Sequence, residues 1–186
     1  MIITIGGTPG SGKSTIAKML AEKLNYTKYS MGDLRREVAK RKGMNIEEFN
    51  KLGEKDSSTD CDVDEYQTQL GKEQDNLVIE GRASHHFIPH SVKIYLKTDV
   101  HEAGKRIWKE LQESIERNEG RLNSQEETIA ALQRRQLSDR KRYRKHYKND
   151  FYNEANFDFV LDTTQLTLEQ VFSQVYGYVT ARMKPE

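Results

Sequence analysis

The run Gly6-Gly7-Thr8-Pro9-Gly10-Ser11-Gly12-Lys13-Ser14-Thr15 leaves this chain few folds to choose from. From Gly7 onward it fits G-x-x-x-x-G-K-[ST], the spacing that wraps backbone N–H groups around a polyphosphate. Only residues without a Cβ let the chain curl that tightly, and Gly7, Gly10 and Gly12 supply the freedom. Lys13 can then reach the β and γ phosphates of a nucleotide, and the Ser14 hydroxyl is placed for Mg²⁺. The flanks agree with the string. Ile2-Ile3-Thr4-Ile5 is a β-branched run suited to a buried parallel strand. Ile16, Leu20 and Leu24 recur at helical spacing, with Ala17 and Ala21 allowing close packing. Strand, glycine loop and helix in that order aim the positive end of a helix at the phosphates. A Gly/Ser turn that binds nothing has no need of such flanks.

At 186 residues the length suits one domain with room for inserts. Charged residues make up 32% and hydrophobic residues 35%, as in a soluble protein with a heavily solvated surface. The net charge of +1 argues neither for nor against nucleic acid, so any basic site must be local. The single cysteine, Cys61, excludes an internal disulfide and fits a reducing compartment. The chain enters a strand at once, which predicts no signal peptide, and no apolar run approaches membrane-spanning length. The expected protein is cytoplasmic, with no membrane partner.

Residues 26–30 predict a second strand, 34–41 a helix stopped by Gly43, and Asn45 with Glu48 a capping box for a helix carrying Phe49 and Leu52. The polar residues 56–60 lead into a third helix to about Gln74. Because residues 31–75 hold few apolar side chains, they read as a peripheral insert. Residues 77–82 and 92–96 predict the third and fourth strands. A helix from Val100 fades into polar residues 112–127, and a long helix with a basic end runs from Glu126 to about Lys148. Residues 157–161 predict a fifth strand. Thr167 and Gln170 cap a last helix whose buried stripe is Leu168, Val171, Phe172, Val175 and Val179. The alternation predicts an α/β fold, a five-stranded parallel sheet with helices on both faces and its ligands at the carboxyl edge. Gly7, Asp33, Glu80 with Arg82, and Asp162 all follow strand ends there.

A phosphate loop alone leaves switch, motor and kinase open. Asp33-Leu34-Arg35-Arg36 puts an arginine at a helix start above the sheet edge, where a planar guanidinium can hold a second phosphate. Glu80-Gly81-Arg82 places an acid able to hold Mg²⁺ through water beside a base facing the same crevice. Arg135, Asp139 and Arg142 share one helical face, so Asp139 can hold two arginines against a transferring phosphoryl group. Each feature has a blander reading: a solvated helix charge, a turn salt bridge, a basic surface with one ion pair. Arg134, Arg140, Lys141, Arg144, Lys145 and Lys148, with Tyr143 and Tyr147, also fit a nucleic-acid footprint. A kinase lid facing two nucleotides needs similar charge, which weighs against nucleic acid as the partner. His85, His86 and His90 lie in a loop beside Pro89 without accompanying Cys or carboxylates, which argues against a metal site.

Residues 7–15, Ser30-Met31-Gly32-Asp33 with Arg36, Glu80-Gly81-Arg82, and Arg135-x3-Asp139-x2-Arg142-Tyr143-x3-Tyr147 together resemble the cytidylate kinase family, most closely its short archaeal-type branch. The resemblance extends in order from the first strand to Asp162-Thr163. It implies the P-loop kinase three-layer fold in one domain: a core of residues 1–30, 76–111 and 149–186, a monophosphate-binding insert 31–75 and a lid 112–148. It implies transfer of a phosphoryl group from ATP to CMP or dCMP with Mg²⁺, by a monomer. Residues 7–15 would bind ATP, and Ser14 and Glu80 the metal. Asp33, Arg36, Asp64, Gly81 and Arg82 would bind the acceptor. Lys13, Arg106, Arg135 and Arg142 would gather on the moving group, with Asp139 anchoring the arginines. Three positions depart from the branch's pattern: Asp64-Glu65-Tyr66-Gln67 stands for Asp-Arg-Arg-Gln, Ala83-Ser84-His85-His86 for smaller and apolar residues, and Lys109 for an arginine. Two other readings stay open: a kinase for UMP, AMP or a metabolite, of which a hydroxyl acceptor would want a base near Asp33, and a nucleotide-dependent RNA-binding or regulatory module.

Overall fold

Side-chain alternation along the first strand decides how the layers form. The computed structural model describes residues 1–113 and 122–183. In β1 (Ile2–Gly7), Ile3 and Ile5 point to one face, while Ile2 and Thr4 point to the other. β1 is flanked by β3 (Leu77–Glu80) and β4 (Val92–Lys97), and the outer strands are β2 (Thr27–Ser30) and β5 (Phe159–Asp162). Every pairing is parallel and the order is β2-β3-β1-β4-β5. The chain therefore leaves β1 to one side and later returns to the other, which opens a crevice at the carboxyl end of β1.

The first face is covered by α1 (Lys13–Leu24) and α8 (Leu168–Met183), whose Ile16, Leu20, Val171, Val175 and Val179 join Ile3, Ile5, Val78 and Ile94 in one core. The opposite face is covered by α2 (Met31–Arg41), α4 (Ser58–Glu73) and the one-turn α5 (Ser84–Phe87). There Met31, Val63 and Leu70 pack with Ile2, Leu77, Ile79 and Ile88. A short α3 (Ile46–Gly53) sits between α2 and α4, and α6 (Val100–Glu113) packs against the long α7 (Gln125–Tyr147). The three-layer α/β architecture with a five-stranded parallel sheet is thus the one expected.

Several local expectations change. Residues 31–75 are not wholly peripheral: although few, Met31, Val63 and Leu70 are spaced so that α2 and α4 close one face of the sheet. α2 begins at Met31 rather than 34, because Ser30 accepts the Asp33 N–H at 3.2 Å and caps the helix directly off β2. α4 begins at Ser58, inside the polar run, where Asp56 accepts the Ser58 N–H at 2.9 Å. β3 ends at Glu80, and His85 and His86 lie on α5 rather than in a loop. β5 starts two residues late, because Phe157 turns its ring onto Tyr95 and His85, with centroids 4.7 and 4.3 Å away. Leu168 opens α8 at 41% exposure and stays off the buried stripe, while both capping boxes form as expected. The predicted polar segment 112–127 falls partly on residues 114–121, outside the described residues.

Candidate active site

The loop after β1 is fixed by backbone geometry. Gly7 has φ +136°, and a Cβ there would lie 1.9 Å from the Leu96 carbonyl oxygen of β4, so no other residue fits. The Thr8 N–H donates to that same carbonyl at 3.1 Å, and its hydroxyl accepts the Thr98 N–H at 3.0 Å. Ser11 is buried and donates to the Thr8 carbonyl at 2.9 Å, while Thr163, just beyond β5, donates to the Ser11 carbonyl at 3.3 Å. Gly7, Thr8 and Ser11 thus brace the loop from behind. Pro9, Gly10, Gly12, Lys13, Ser14 and Thr15 line a cavity of about 340 Å³ at the sheet's carboxyl edge. Lys13 lies within it, its ammonium bonded back to the Thr8 carbonyl.

The same cavity is also lined by guanidinium groups from four places: Arg36 of α2, Arg82 after β3, Arg106 of α6 and Arg135 of α7. Arg106 is aimed by Glu102, 2.9 Å away, and donates to the Thr163 and Thr164 carbonyls at 2.8 and 3.1 Å. Arg36 pairs with Asp33, whose carboxyl is held low: burial opposes this, but the Arg36 and Ser30 hydrogen bonds prevail. Gly81 completes the floor, and a Cβ there would strike Ser84 Oγ at 2.3 Å. Glu80 Oε2 accepts the hydroxyls of Ser14 at 3.1 Å and Ser30 at 2.9 Å, so the acid after β3 touches the phosphate loop directly.

Asp139 is fully buried and sits 3.0 Å from Arg82 Nε, 2.9 Å from Arg142 Nη2 and 2.9 Å from the Tyr152 hydroxyl. Burial alone would raise its pKa, yet Arg82, Arg142 and Arg135 hold the carboxyl down at about 2. Of the arginines expected at Asp139, Arg142 is in direct contact, and Arg82, which was not expected there, stands beside it. Arg142, by contrast, does not line the cavity. It is fully buried, and Asp60 and Asn50, neither of them named for the site by the sequence, draw its guanidinium into the interior 2.9 and 3.3 Å away. Asp64 also lies off the cavity wall. Burial raises its pKa to about 6, against hydrogen bonds from the Tyr147 hydroxyl and from Gln67 Nε2, the latter at 3.1 Å.

Sequence reasoning missed Arg35, Asn50 and Asp60. A signal was present: Asp60 falls on the stripe Asp60-Val63-Gln67-Leu70 of α4, and Arg35 on Met31-Arg35-Ala39 of α2, all buried. Charges on a buried helical stripe ask for partners.

Basic side chains of α7 pair with neighbouring acids and carbonyls at the surface. Arg134 meets Glu47 at 3.4 Å, Lys141 meets Glu54, Arg144 meets Asp150 at 3.1 Å, and Lys145 donates to the Glu54 carbonyl at 2.8 Å. Tyr143 is buried, and Tyr147 packs against Phe87 and Phe151 while its hydroxyl donates to Asp64. His85 is buried against Phe151 and Phe157, His86 packs on Phe87 and Phe151, and His90 is exposed. Among the described residues no helix is long and apolar enough to cross a membrane.

Solved structures with this architecture include a shikimate kinase from Bacteroides thetaiotaomicron, with a TM-score of 0.63 at 17% identity and 99% of each chain covered. An uncharacterized protein from Eubacterium ventriosum superposes with a TM-score of 0.66 at 20% identity, covering 98% of this chain and 99% of that one. At such identities the likeness concerns the fold. Sequence relatives say more. A cytidylate kinase from Methanocaldococcus jannaschii is 36% identical over 180 residues, covering 94% of this chain and 95% of its own. One from Methanocella arvoryzae is 34% identical over 176 residues, covering 95% of each. The model of the cytidylate kinase-like family matches residues 2–165, a span that takes in the phosphate loop, every arginine on the cavity wall and the Asp139 anchor. The chain belongs to the cytidylate kinase-like family.

Proposed function

We propose that the protein is an ATP-dependent nucleoside monophosphate kinase that transfers the γ-phosphoryl group to CMP or dCMP. The observation that carries this reading is a single cavity lined both by a phosphate loop and by Arg36, Arg82, Arg106 and Arg135. That arrangement suits two anions brought end to end. A switch or motor needs only the loop.

The loop backbone and Lys13 hold the β and γ phosphates. Arg36 and Arg82 hold the acceptor phosphate, one of whose oxygens is already a nucleophile, so the reaction needs no strong base. Asp33, held low and paired with Arg36, would make a poor one, which disfavours a hydroxyl acceptor. Arg106 and Arg135 stabilise charge on the group in flight. Asp139 keeps Arg82 at the cavity, and Arg142 acts from behind it as a positioning residue rather than by touching phosphate. The touching oxygens of Ser14 and Glu80 at the cavity edge fit Mg²⁺, which takes few protein ligands beside phosphates and water. When bound, the ion would neutralise phosphate charge. Asp64, with Gln67 beside it, faces the base side of the acceptor. Residues 31–75 serve as the acceptor insert and 112–148 as the lid. All these groups come from one chain, which suits a monomer, and its substrates suit the cytoplasm.

The test is ADP release with ATP, Mg²⁺ and each of CMP, dCMP, UMP, AMP and GMP, with Lys13→Ala as the blank. Turnover should be highest with CMP or dCMP. Equal or greater turnover with AMP or GMP would overturn the acceptor assignment, and none with any monophosphate would overturn the kinase.

A further inference from the structure

Behind the cavity an unbroken line of alternating charge crosses the interior where α2, α3, α4 and α7 meet. Arg35 pairs with Asp60 Oδ1, and Asp60 Oδ2 lies 2.9 Å from Arg142 Nε. Arg142 Nη2 donates to Asp139 Oδ1 at 2.9 Å, and Asp139 Oδ2 lies 3.0 Å from Arg82 Nε. Arg82 is the member that lines the cavity. Arg35 and Arg142 are like charges that share Asn50 Oδ1, at 3.0 and 3.3 Å, and the carboxylate of Asp60 lies between them. Burial lowers the pKa of Arg35, and the charge of Arg142 lowers it further. Helix α3 makes room for the pair at Gly53, where a Cβ would meet Arg142 Cδ at 3.0 Å and Arg35 Nη2 at 3.2 Å.

As a device for stability alone this would be a poor choice, since well-packed apolar residues usually do as well as a buried ion pair. Its layout points elsewhere. Three guanidinium groups face two carboxylates, so the line carries an unbalanced positive charge, and its open end is at the phosphate cavity. An anion arriving beside Arg82 completes the alternation. We propose that Asp60 is a positioning residue for phosphoryl transfer: held between Arg35 and Arg142, it fixes Arg142 against Asp139 and thereby sets where Arg82 stands. The inference rests on the kinase reading, and it gives the acceptor insert a direct mechanical part in aligning the acceptor phosphate.

The test uses Asp60→Asn and the double variant Arg35→Gln/Asp60→Asn. Both are assayed beside the wild-type chain with ATP, Mg²⁺ and CMP at a temperature where circular dichroism shows them folded. Asp60→Asn keeps the side-chain shape but leaves two cations facing each other. The double variant removes that repulsion without restoring the hold on Arg142. A misplaced reacting group costs rate steeply, so kcat should fall roughly 10-fold or more in both variants, with KM for ATP within about two-fold of wild type. If Asp60→Asn does not fold, the double variant decides alone. A wild-type kcat in the folded double variant, or a KM for ATP that worsens as much as kcat, would reduce Asp60 to a structural part and overturn the inference. Failure of the wild-type chain to turn over CMP would instead sink the kinase reading, so the two failures are distinct.

Discussion

The two kinds of lining around the cavity are built by opposite means. The phosphate-loop wall is backbone: its shape is set by Gly7 against Leu96, and its braces are the hydrogen bonds of Thr8, Ser11 and Thr163. The guanidinium wall is side chain: arginines from three helices and the turn after β3, one aimed by Glu102, one paired with Asp33 and one held through Asp139, Arg142 and Asp60. A backbone wall keeps its shape when a side chain is lost. A guanidinium wall stays in place only while its carboxylates do, so substitutions there should damage stability and rate together.

The largest contrast is expected between Lys13→Ala and Arg142→Ala. Lys13→Ala should lower kcat roughly 10³-fold while the urea midpoint moves far less than for Arg142→Ala, because the loop loses the Lys13 bond to Thr8 but keeps its braces at Gly7, Thr8, Ser11 and Thr163. Arg142→Ala leaves Asp60 and Asp139 without their shared partner in the interior. It should cost on the order of 3–5 kcal/mol of stability by urea denaturation, together with a fall in kcat of roughly 10²-fold. Arg142→Ala with a wild-type midpoint would erase the distinction between the walls.

A smaller effect tests the ground beneath the arginine wall. His85 is buried under Phe151 and Phe157, and burial, with help from His86 and Lys93, lowers its pKa to about 4. Its folded pKa lies below the unfolded value of about 6.5, so the unfolded chain binds the proton more readily. Its contribution is therefore full above pH 6.5 and lost as pH falls toward 4, on the order of 3 kcal/mol in all. Asp64 works in the opposite sense, since a carboxyl raised to about 6 makes the native state gain stability as pH falls through 6. The His85 slope is therefore read as the difference between the wild-type chain and His85→Leu in urea melts at pH 7 and pH 5.

The smallest effect concerns the base side of the acceptor. If Asp64 receives a hydrogen bond from the acceptor base, protonation below about pH 6 should raise KM for CMP several-fold while KM for ATP stays flat. Asp64→Asn should flatten that profile.

How legible each wall was follows from the same difference. The loop could be read from one string because backbone geometry is set by neighbours: Gly7 to Thr15 and their flanking strand and helix occupy one stretch of chain. The fold was legible for a similar reason, since apolar periodicity in β1, α1 and α8 marks buried faces directly. Arg82 and Asp139 were found because they stand in recognisable spacings. The place of Arg142 was not, because its direction is chosen by Asp60 and Asn50, far away in sequence and visible only once α3, α4 and α7 are packed. The same holds for Phe157, which reads as strand until Tyr95 and His85 offer its ring a better place.

The most direct test of the account is steady-state kinetics of Asp139→Asn with ATP and CMP varied in turn. If carboxylate-held arginines align the acceptor, kcat/KM for CMP should fall roughly 10²-fold or more while KM for ATP stays within about two-fold of wild type. An unchanged kcat/KM for CMP, or a loss confined to ATP binding, would contradict it.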